Sequence, residues 1–411
     1  MKSSEATTTS LVATTSFESL EMYARSEIQR WLQSLLEEEV GDLLGRERYA
    51  RREAGQVEAS YRNGHGEPRR LAMSCGTVTV RRPRVRGLEE RFESRVLPLF
   101  KRRTEEVGDL LPKLYLHGLA QRDFELALRG LLGDGAPLSA SSIARLKERW
   151  LDEYRAWRQC EIEGELVYVW ADGIYVKAGL DKEKAALLVV VGAFSDGTKR
   201  VLAVESGWRE SKESWLEVLR SLQRRGMNAP RLVVADGALG LWAAIAELGW
   251  KCGEQRCWNH KLMNVVDALP RKEQPAARDL LRAIPAAETR EQAESLRDDF
   301  VRRYRQHHPK ACDKLLADWE QMITFYNFPK EHWRHLRTSN VIESPFHAVR
   351  LRTSAAKRFK RTDCAEAIIW KLLLVAERTF RKLNATHLLP SVAAGDLYVN
   401  GIKSKQNRTA A

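Results

Sequence analysis

The chain holds 411 residues, 44% hydrophobic and 30% charged, with a formal net charge of +13 at pH 7, a length that suits two to four domains of roughly 100–200 residues each. No window approaches the ~18 consecutive apolar residues of a membrane span, and the opening MKSSEATTTSLVATTS lacks the apolar run of a secretory signal, so residues 1–16 read as a disordered tail. Six cysteines, at 75, 160, 252, 257, 312 and 364, follow no disulfide rhythm, which fits a reducing cytoplasm.

Residues 17–44 carry apolar side chains at helical spacing and predict an amphipathic helix. In the stretch YRNGHGEPRRLAMSCGTVTVRRPRVRG, Asn63-Gly64 marks a turn, and the Thr/Val alternation at 77–80 marks a short strand. Pro83 ends that strand among Arg81, Arg82, Arg84 and Arg86. An edge lined with Arg suits a nucleic-acid backbone, and equally an edge strand protected by charge. The region 17–103 is therefore read as a helix followed by basic strands. Residues 104–160 turn helical, with a break near Gly118. Gly133, Gly135 and Pro137 make a turn, and Ser139 is an N-cap for a helix carrying Arg145, Lys147 and Arg149. The pattern is that of a helix-turn-helix and equally that of a plain helix pair.

After 160 the texture changes. LVYVWAD, AALLVVVGAF and KRVLAVESG are three closely spaced strands, followed by a helix (SKESWLEVLRSLQRRG), a strand (RLVVADG), a helix (GLWAAIAELG) and the run WKCGEQRC. This is an α/β arrangement with helices on a central sheet over 161–261. Residues 262–335 read helical throughout, and 363–384 give one more helix. No Walker motif or Gly-rich phosphate loop occurs.

Charge is unevenly spread. Residues 51–103 hold 14 Lys/Arg against 6 Asp/Glu, a balance of +8, and residues 344–411 hold 13 against 4, a balance of +9. The stretch 161–343 is nearly neutral, at 28 against 27. Two basic ends around a neutral centre suggest a polyanion held through phosphate contacts and counterion release. A basic run by itself is more often a solubilising face.

Two of the predicted strands end on a carboxylate followed by Gly, at Asp172 and Asp236. In open α/β sheets the crevice at strand ends carries the chemistry. Either Asp alone is more often a turn residue, but the same ending twice in one unit suggests a pair. Two carboxylates within ~4 Å coexist comfortably only around a cation. Divalent ions need further oxygen ligands, and Glu343, the one acidic residue in RTSNVIESPFHAVRLRTSAAKRFKR, is the candidate third. Arg337, Arg350 and Arg352 would then grip phosphates, with Arg358 in the same basic stretch. Pro345 fits if Glu343 lies in the first turn of its helix.

These residues, in the order Asp172, Asp236, Glu343, resemble the RNase H-like DDE transposases, and more specifically the bacterial IS256 or Mutator-type family. GEQRCWNHKLMNV is similar to that family's QRC-x-x-H stretch, giving Cys257-x2-His260, and RTSNVIES is similar to its RTTNxxES. YRNGHG, VRRPRVRG, SLQRRGM and VVADGALGLWAAI match in the right order, so the resemblance covers about residues 20 to 385. The first Asp departs from the pattern: WADGIYVK stands where the family more often has DAxYVK, although Tyr175 and Lys177 still match.

The resemblance implies an RNase H-like core, a mixed five-stranded sheet with flanking helices. An all-α insertion at 262–335 would interrupt it between 161–261 and 336–390. A mainly helical N-terminal DNA-binding region would precede it, and a basic tail at 391–411 would follow. It implies catalytic and metal-holding roles for Asp172, Asp236 and Glu343 with Mg²⁺, for which Mn²⁺ can substitute. Cys257, His260, Arg256 and Asn340 would support the site. Arg81, Arg82, Arg84, Arg86, Arg145, Lys147, Arg337, Arg350, Arg352 and Arg358 would contact terminal inverted repeats and target DNA. A homodimer or larger assembly, in the cytoplasm and at the nucleoid, goes with that activity. An RNase H-like nuclease or resolvase, or a non-catalytic DNA-binding derivative, are the alternatives. A zinc site from Cys252, Cys257, His260, His307, His308 and Cys312 is a third reading, though the spacing is not that of a standard finger. Trp319, Phe325, Tyr326, Phe328 and Trp333 could stack on an unpaired base, with core packing the more ordinary role.

Overall fold

A computed structural model describes residues 20–49, 60–120, 123–132, 140–179, 184–237 and 239–404. The chain divides into two compact units, residues 1–146 and 147–411.

In the first unit, α1 (Leu20–Leu44) is followed by β1 (Tyr61–His65), β2 (Arg69–Met73), β3 (Gly76–Val80) and β4 (Pro83–Arg86), then α2 (Glu105–Leu116) and α3 (Phe124–Leu132). The strands form two antiparallel pairs, β1 with β4 and β2 with β3. Leu36 of α1 packs with Leu71, Val78, Val80 and Leu97 to make a small core. Two sequence expectations change here. Asn63-Gly64 is not a turn between strands but an irregularity inside β1, where the register shifts between Arg62 and His65 and Gly64 takes φ +64°. Pro83 opens β4 rather than closing β3, since a proline is tolerated at the first residue of a strand. Gln33 of α1 binds the backbone N–H of Arg81 at 2.9 Å and its carbonyl at 2.9 Å, leaving the Arg81 side chain exposed. The predicted break at Gly118 separates α2 from α3. The expected turn at Gly133, Gly135 and Pro137, and the cap at Ser139, lie outside the described residues. α4 (Ala140–Trp157) follows them.

The second unit is built on β5 (Leu166–Val176), β6 (Ala185–Phe194), β7 (Lys199–Gly207), β8 (Leu232–Ala235) and β9 (Gly253–Arg256), in the order β7-β6-β5-β8-β9. β5 to β7 form an antiparallel meander, and β8 and β9 add in parallel to β5. The predicted mixed five-stranded sheet is therefore present. β6 is an unbroken apolar run buried along nearly its whole length, as expected of a strand covered on both faces. Alternation along β5 sorts the layers. Val169 and Ala171 face α5 (Lys212–Arg224) and α6 (Leu239–Glu247), packing with Trp215, Leu219, Leu241 and Ile245. Tyr168 and Trp170 face the other way, where Tyr168 Oη meets His332 Nδ1 at 2.8 Å and Trp170 Nε1 donates to the His335 carbonyl at 3.0 Å.

From Trp258 to Leu336 the chain is helical: α7 (Trp258–Val266), α8 (Gln274–Ala286), α9 (Arg290–Tyr304), α10 (Pro309–Leu316), α11 (Trp319–Ile323) and α12 (Trp333–Leu336). Its aromatics are core. Phe325 and Tyr326 stand 4.2 Å apart, and Trp333 lies edge-on to both. Trp319, Phe325, Tyr326, Phe328 and Trp333 are all buried, so the base-stacking role considered for them has no exposed ring to act through. Gln255 of β9 fastens this stretch to the sheet, donating to the Met322 carbonyl at 3.0 Å and accepting from the Phe325 N–H at 2.8 Å. Then come α13 (Asn340–Ala356), α14 (Thr362–Glu377, shorter than the predicted 363–384), α15 (Leu389–Ala393), and the hairpin β10 (Tyr398–Val399) with β11 (Ile402–Lys403). Residues 391–404, read from the sequence as part of a basic tail, are thus folded. No helix among the described residues is long and apolar enough to cross a membrane.

Candidate active site

β5, β8 and β9 run parallel, and β7 shares their direction because the meander reverses twice. Their C-terminal ends therefore open on one edge of the sheet, where the candidate site residues lie. The pairing of Ala171 with Ala235 is the last step of the β5–β8 ladder, so the next residues on the two strands, Asp172 and Asp236, emerge side by side. β5 does not stop at Asp172 as expected; it continues to Val176 because β6 still pairs with it, Asp172 standing opposite Val189. Burial, and then the charge of Asp236, push the Asp172 carboxyl up to about 7, against the Gly173 N–H that donates to its Oδ1 at 2.8 Å.

The turn after Asp236 is held by Arg256 at the end of β9. Its Nε donates to the Asp236 carbonyl at 3.2 Å and its Nη1 binds Asp318. The guanidinium lies where a Cβ on Gly237 would fall, 2.2 Å from Nε, and Gly237 has φ +101°. Only glycine fits there.

Beyond β9, the Cys257 N–H donates to the Ala235 carbonyl at 2.7 Å and the Trp258 N–H to the Arg337 carbonyl at 2.9 Å. These two bonds set the start of α7 against both the strand ends and the entry to α13. Glu343 lies in the first turn of α13, as Pro345 required, and accepts from the Ser339 hydroxyl. Cys257 Sγ is 4.0 Å and His260 Nδ1 3.8 Å from Glu343 Oε1, and the Ser339 N–H reaches Cys257 Sγ at 3.3 Å. Asn259 donates to Asn340 at 2.9 Å, joining the same two helices. The Cys257 thiol raises His260 to about 9 against burial, with Glu343 and Asp236 adding to it. Burial would raise the Cys257 thiol, but hydrogen bonds with His260 and Ser339 outweigh it and the net shift is downward. His260 thus sits within electrostatic reach of Asp172, Asp236 and Glu343.

The donors test which ion would fit. Asp172 and Asp236 offer only hard oxygen atoms and repel each other, which suits Mg²⁺ or Mn²⁺. Cys257, His260 and Glu343 come within 4.8 Å of one another, the one set of three such groups to do so among the described residues. The larger zinc set does not form. Cys252 packs against the α5–α6 core, Cys312 is buried with its Sγ 3.9 Å from the Val301 carbonyl, and His308 pairs with Glu273 at 2.9 Å.

Other expected contacts sort by exposure. Arg81, Arg84, Arg86, Arg145, Arg350 and Arg358 are exposed, and Arg82 and Lys147 are partly so. Arg358 also donates to the Gly179 carbonyl at 3.2 Å. Arg337 points inward, donating to the Trp333 carbonyl at 3.3 Å and to that of Pro285, with Phe325 under its guanidinium. Arg352 is 3% exposed. The expected phosphate grip by these two is not available, because α13 and α12 turn them into the fold.

Sequence reasoning missed Glu210, three residues past the end of β7. Its carboxyl meets the Tyr175 hydroxyl and shares the surroundings of Asp236 and His260. The topology held the clue: a carboxylate just beyond β7 falls on the same sheet edge as those beyond β5 and β8.

The sequence profile described as Transposase, Mutator family matches residues 1–382. A transposase for the insertion sequence element IS6120 of Mycolicibacterium smegmatis is 44% identical over 296 residues, 72% of this chain and 92% of that protein. One for IST2 of Acidithiobacillus ferrooxidans is 40% identical over 279 residues, 67% of this chain and 94% of that protein. One for IS256 in transposon Tn4001 of Staphylococcus aureus is 25% identical over 350 residues, 83% of this chain and 86% of that protein.

Proposed function

The chain belongs to the Mutator family of transposases, and on that premise we propose that it binds the terminal inverted repeats of an insertion sequence, cuts the strand at the element's ends and joins the freed 3′ end to target DNA. The observation that carries this reading is the pair Asp172 and Asp236, brought side by side by one parallel ladder, with His260, 3.8 Å from Glu343, feeling the charge of both Asp236 and Glu343. The sheet order and the helical run between β9 and α13 support an RNase H-like core with an all-α insertion at 262–335.

Asp172, Asp236 and Glu343 would hold Mg²⁺, or Mn²⁺ in its place, which when bound makes a water or 3′-hydroxyl nucleophilic near neutral pH and neutralises charge on the scissile phosphate. The chain's own groups do the positioning. Ser339 and His260 hold the Glu343 carboxylate, and an imidazolium at His260 offsets part of the carboxylate charge. Arg256 fixes the turn that aims Asp236. Arg350, seven residues after Glu343 and so on the same face of α13, is exposed and suits a backbone phosphate. Arg81, Arg84 and Arg86 give the first unit a basic edge of the same kind. Two DNA ends call for at least two copies of the chain.

Cleavage of duplexes bearing the element's ends, with Mg²⁺, tests the reading. Asp172→Ala, Asp236→Ala and Glu343→Ala should each abolish cleavage while DNA binding stays within a few-fold. Near wild-type cutting by Glu343→Ala would remove it from the site, and by both aspartate variants would overturn the mechanism.

A further inference from the structure

We propose that Cys257, His260 and Glu343 form a site for Zn²⁺, and that an ion bound there withdraws Glu343 from the magnesium set; the second half rests on the function proposed above. The three groups bring one ligand atom each to within 4.8 Å of one another. Cys257 is the N-cap of α7 and His260 lies in its first turn, three residues on, so both side chains leave the same side of the helix start. Glu343 comes from the first turn of α13. The site is thus made where two helices begin, and neighbouring groups hold it. The Ser339 N–H reaches Cys257 Sγ at 3.3 Å, the Ser339 hydroxyl binds Glu343, and Asn259 ties the two helices together through Asn340 at 2.9 Å. Outer partners of this kind orient the ligands of a metal site.

Three features favour an ion over a plain polar contact. His260 Nδ1 is enclosed, yet no partner meets it in hydrogen-bond geometry, and Glu343 Oε1 stands 3.8 Å away. Tetrahedral zinc sets a sulfur and an oxygen ligand roughly 3.5 Å apart, and a nitrogen and an oxygen ligand roughly 3.3 Å apart. Here the separations are 4.0 Å and 3.8 Å, so the side chains need to close only slightly on an ion. Thiolate, imidazole and carboxylate are also the donors zinc takes, and the sulfur is too soft for Mg²⁺. Finally, the His260 and Glu343 side chains keep 35% and 27% exposure, which leaves a way in and room for water as fourth ligand. Binding displaces protons from the thiol and the imidazole. The oxygen nearest both, Glu343 Oε1, becomes a zinc ligand and is lost to the site at the strand ends.

The test is titration of the full chain with Co²⁺, a spectroscopic substitute for Zn²⁺, without DNA or Mg²⁺, with melting in EDTA as the check on folding. The wild type should show a thiolate-to-cobalt charge-transfer band that Zn²⁺ displaces. Cys257→Ser should abolish the band, and Cys252→Ser should leave it unchanged. His260→Gln and Glu343→Gln should weaken Zn²⁺ binding by more than the roughly 10–100-fold that loss of an outer partner costs. No band in the wild type, or a band that survives in Cys257→Ser, overturns the site and leaves the magnesium reading standing. Wild-type affinity in Glu343→Gln overturns the role of Glu343. In cleavage with Mg²⁺, added Zn²⁺ should inhibit the wild type and leave the rate of Cys257→Ser, measured against its own zinc-free rate, unaltered. Full cleavage by zinc-loaded wild type overturns the withdrawal of Glu343. A wild type that binds zinc but fails to cut its element's ends without it overturns the proposed function, and the withdrawal with it, but not the zinc site.

Discussion

The sheet edge carries two corners of opposite character. At one, Asp172 and Asp236 are set side by side by strand register, and their charges oppose each other. At the other, Cys257, His260 and Glu343 are set by the contacts of α7 with α13, with groups of complementary character side by side: thiol by imidazole, imidazole 3.8 Å from carboxylate, carboxylate bound by hydroxyl. In the first, burial and the neighbouring charge hold the Asp172 carboxyl up, which disfavours its ionised form. In the second, groups of opposite character stand beside one another. On the function proposed above, the first corner would supply charge to the reaction and the second would hold Glu343 at a fixed aim.

The comparison breaks most readily in kinetics. Asp172→Asn should lower single-turnover cleavage by on the order of 10³-fold or more, because the proposed cation ligand is lost, whereas His260→Gln should lower it by about 10–100-fold. Equal losses would mean that the corners act as one unit. The next effect is on stability and concerns how the second corner is carried. Phe325→Ala should cost about 3–5 kcal/mol in chemical denaturation, since the ring is buried between Tyr326 and Trp333 and its N–H is tied to Gln255. Mn²⁺ affinity at the first corner should change little, because the sheet holds that corner independently; a parallel collapse of Mn²⁺ binding would deny the division.

A smaller effect has the opposite sign. The Asp172 carboxyl titrates at about 7 in the fold against about 4 unfolded, so its stabilising contribution is complete below pH 4 and is lost as pH rises through 7. In EDTA at pH 8, Asp172→Asn should therefore be more stable than wild type, by about 2 kcal/mol after allowance for residual solvent. The gain should shrink as the pH falls toward 4. A loss of stability at pH 8 would show that the first corner is not repulsive.

How far the sequence spoke follows the same division. β5, β6, β7 and β8 were legible because apolar runs bounded by turn residues leave little choice, and the two aspartates followed because each closes such a run. Glu343 stood out as a lone acid in a basic stretch, and Cys257 and His260 through the likeness of GEQRCWNHKLMNV to the family's QRC-x-x-H stretch. Glu210 was not, because a loop carboxylate between Arg209 and Ser211 has no periodicity and looks like any solvated charge; only the direction of β7 brings it to the same edge of the sheet. Arg337 and Arg352 misled for the converse reason. Charge in a sequence suggests surface, yet carbonyls of Trp333 and Pro285 receive the first, and the second is buried in α13. Gly64 and Pro83 carry the usual turn signals, and each is used inside or at the start of a strand instead.

The smallest effect lies outside both corners and must be subtracted from any pH scan of them. Burial lowers His335 to about 4, and Lys199, Arg334 and His332 oppose its protonation further, with Asn384 acting the other way. A histidine depressed in the fold contributes stability that is whole above its unfolded value of about 6.5 and is lost as pH falls toward 4. Between pH 7 and pH 5 this should amount to about 1 kcal/mol for a half-buried ring. His335→Gln should flatten that part of the profile, and it leaves intact the backbone carbonyl that accepts from Trp170. An unchanged slope would assign the acid sensitivity elsewhere, His332 being the next group to replace, since burial lowers it too.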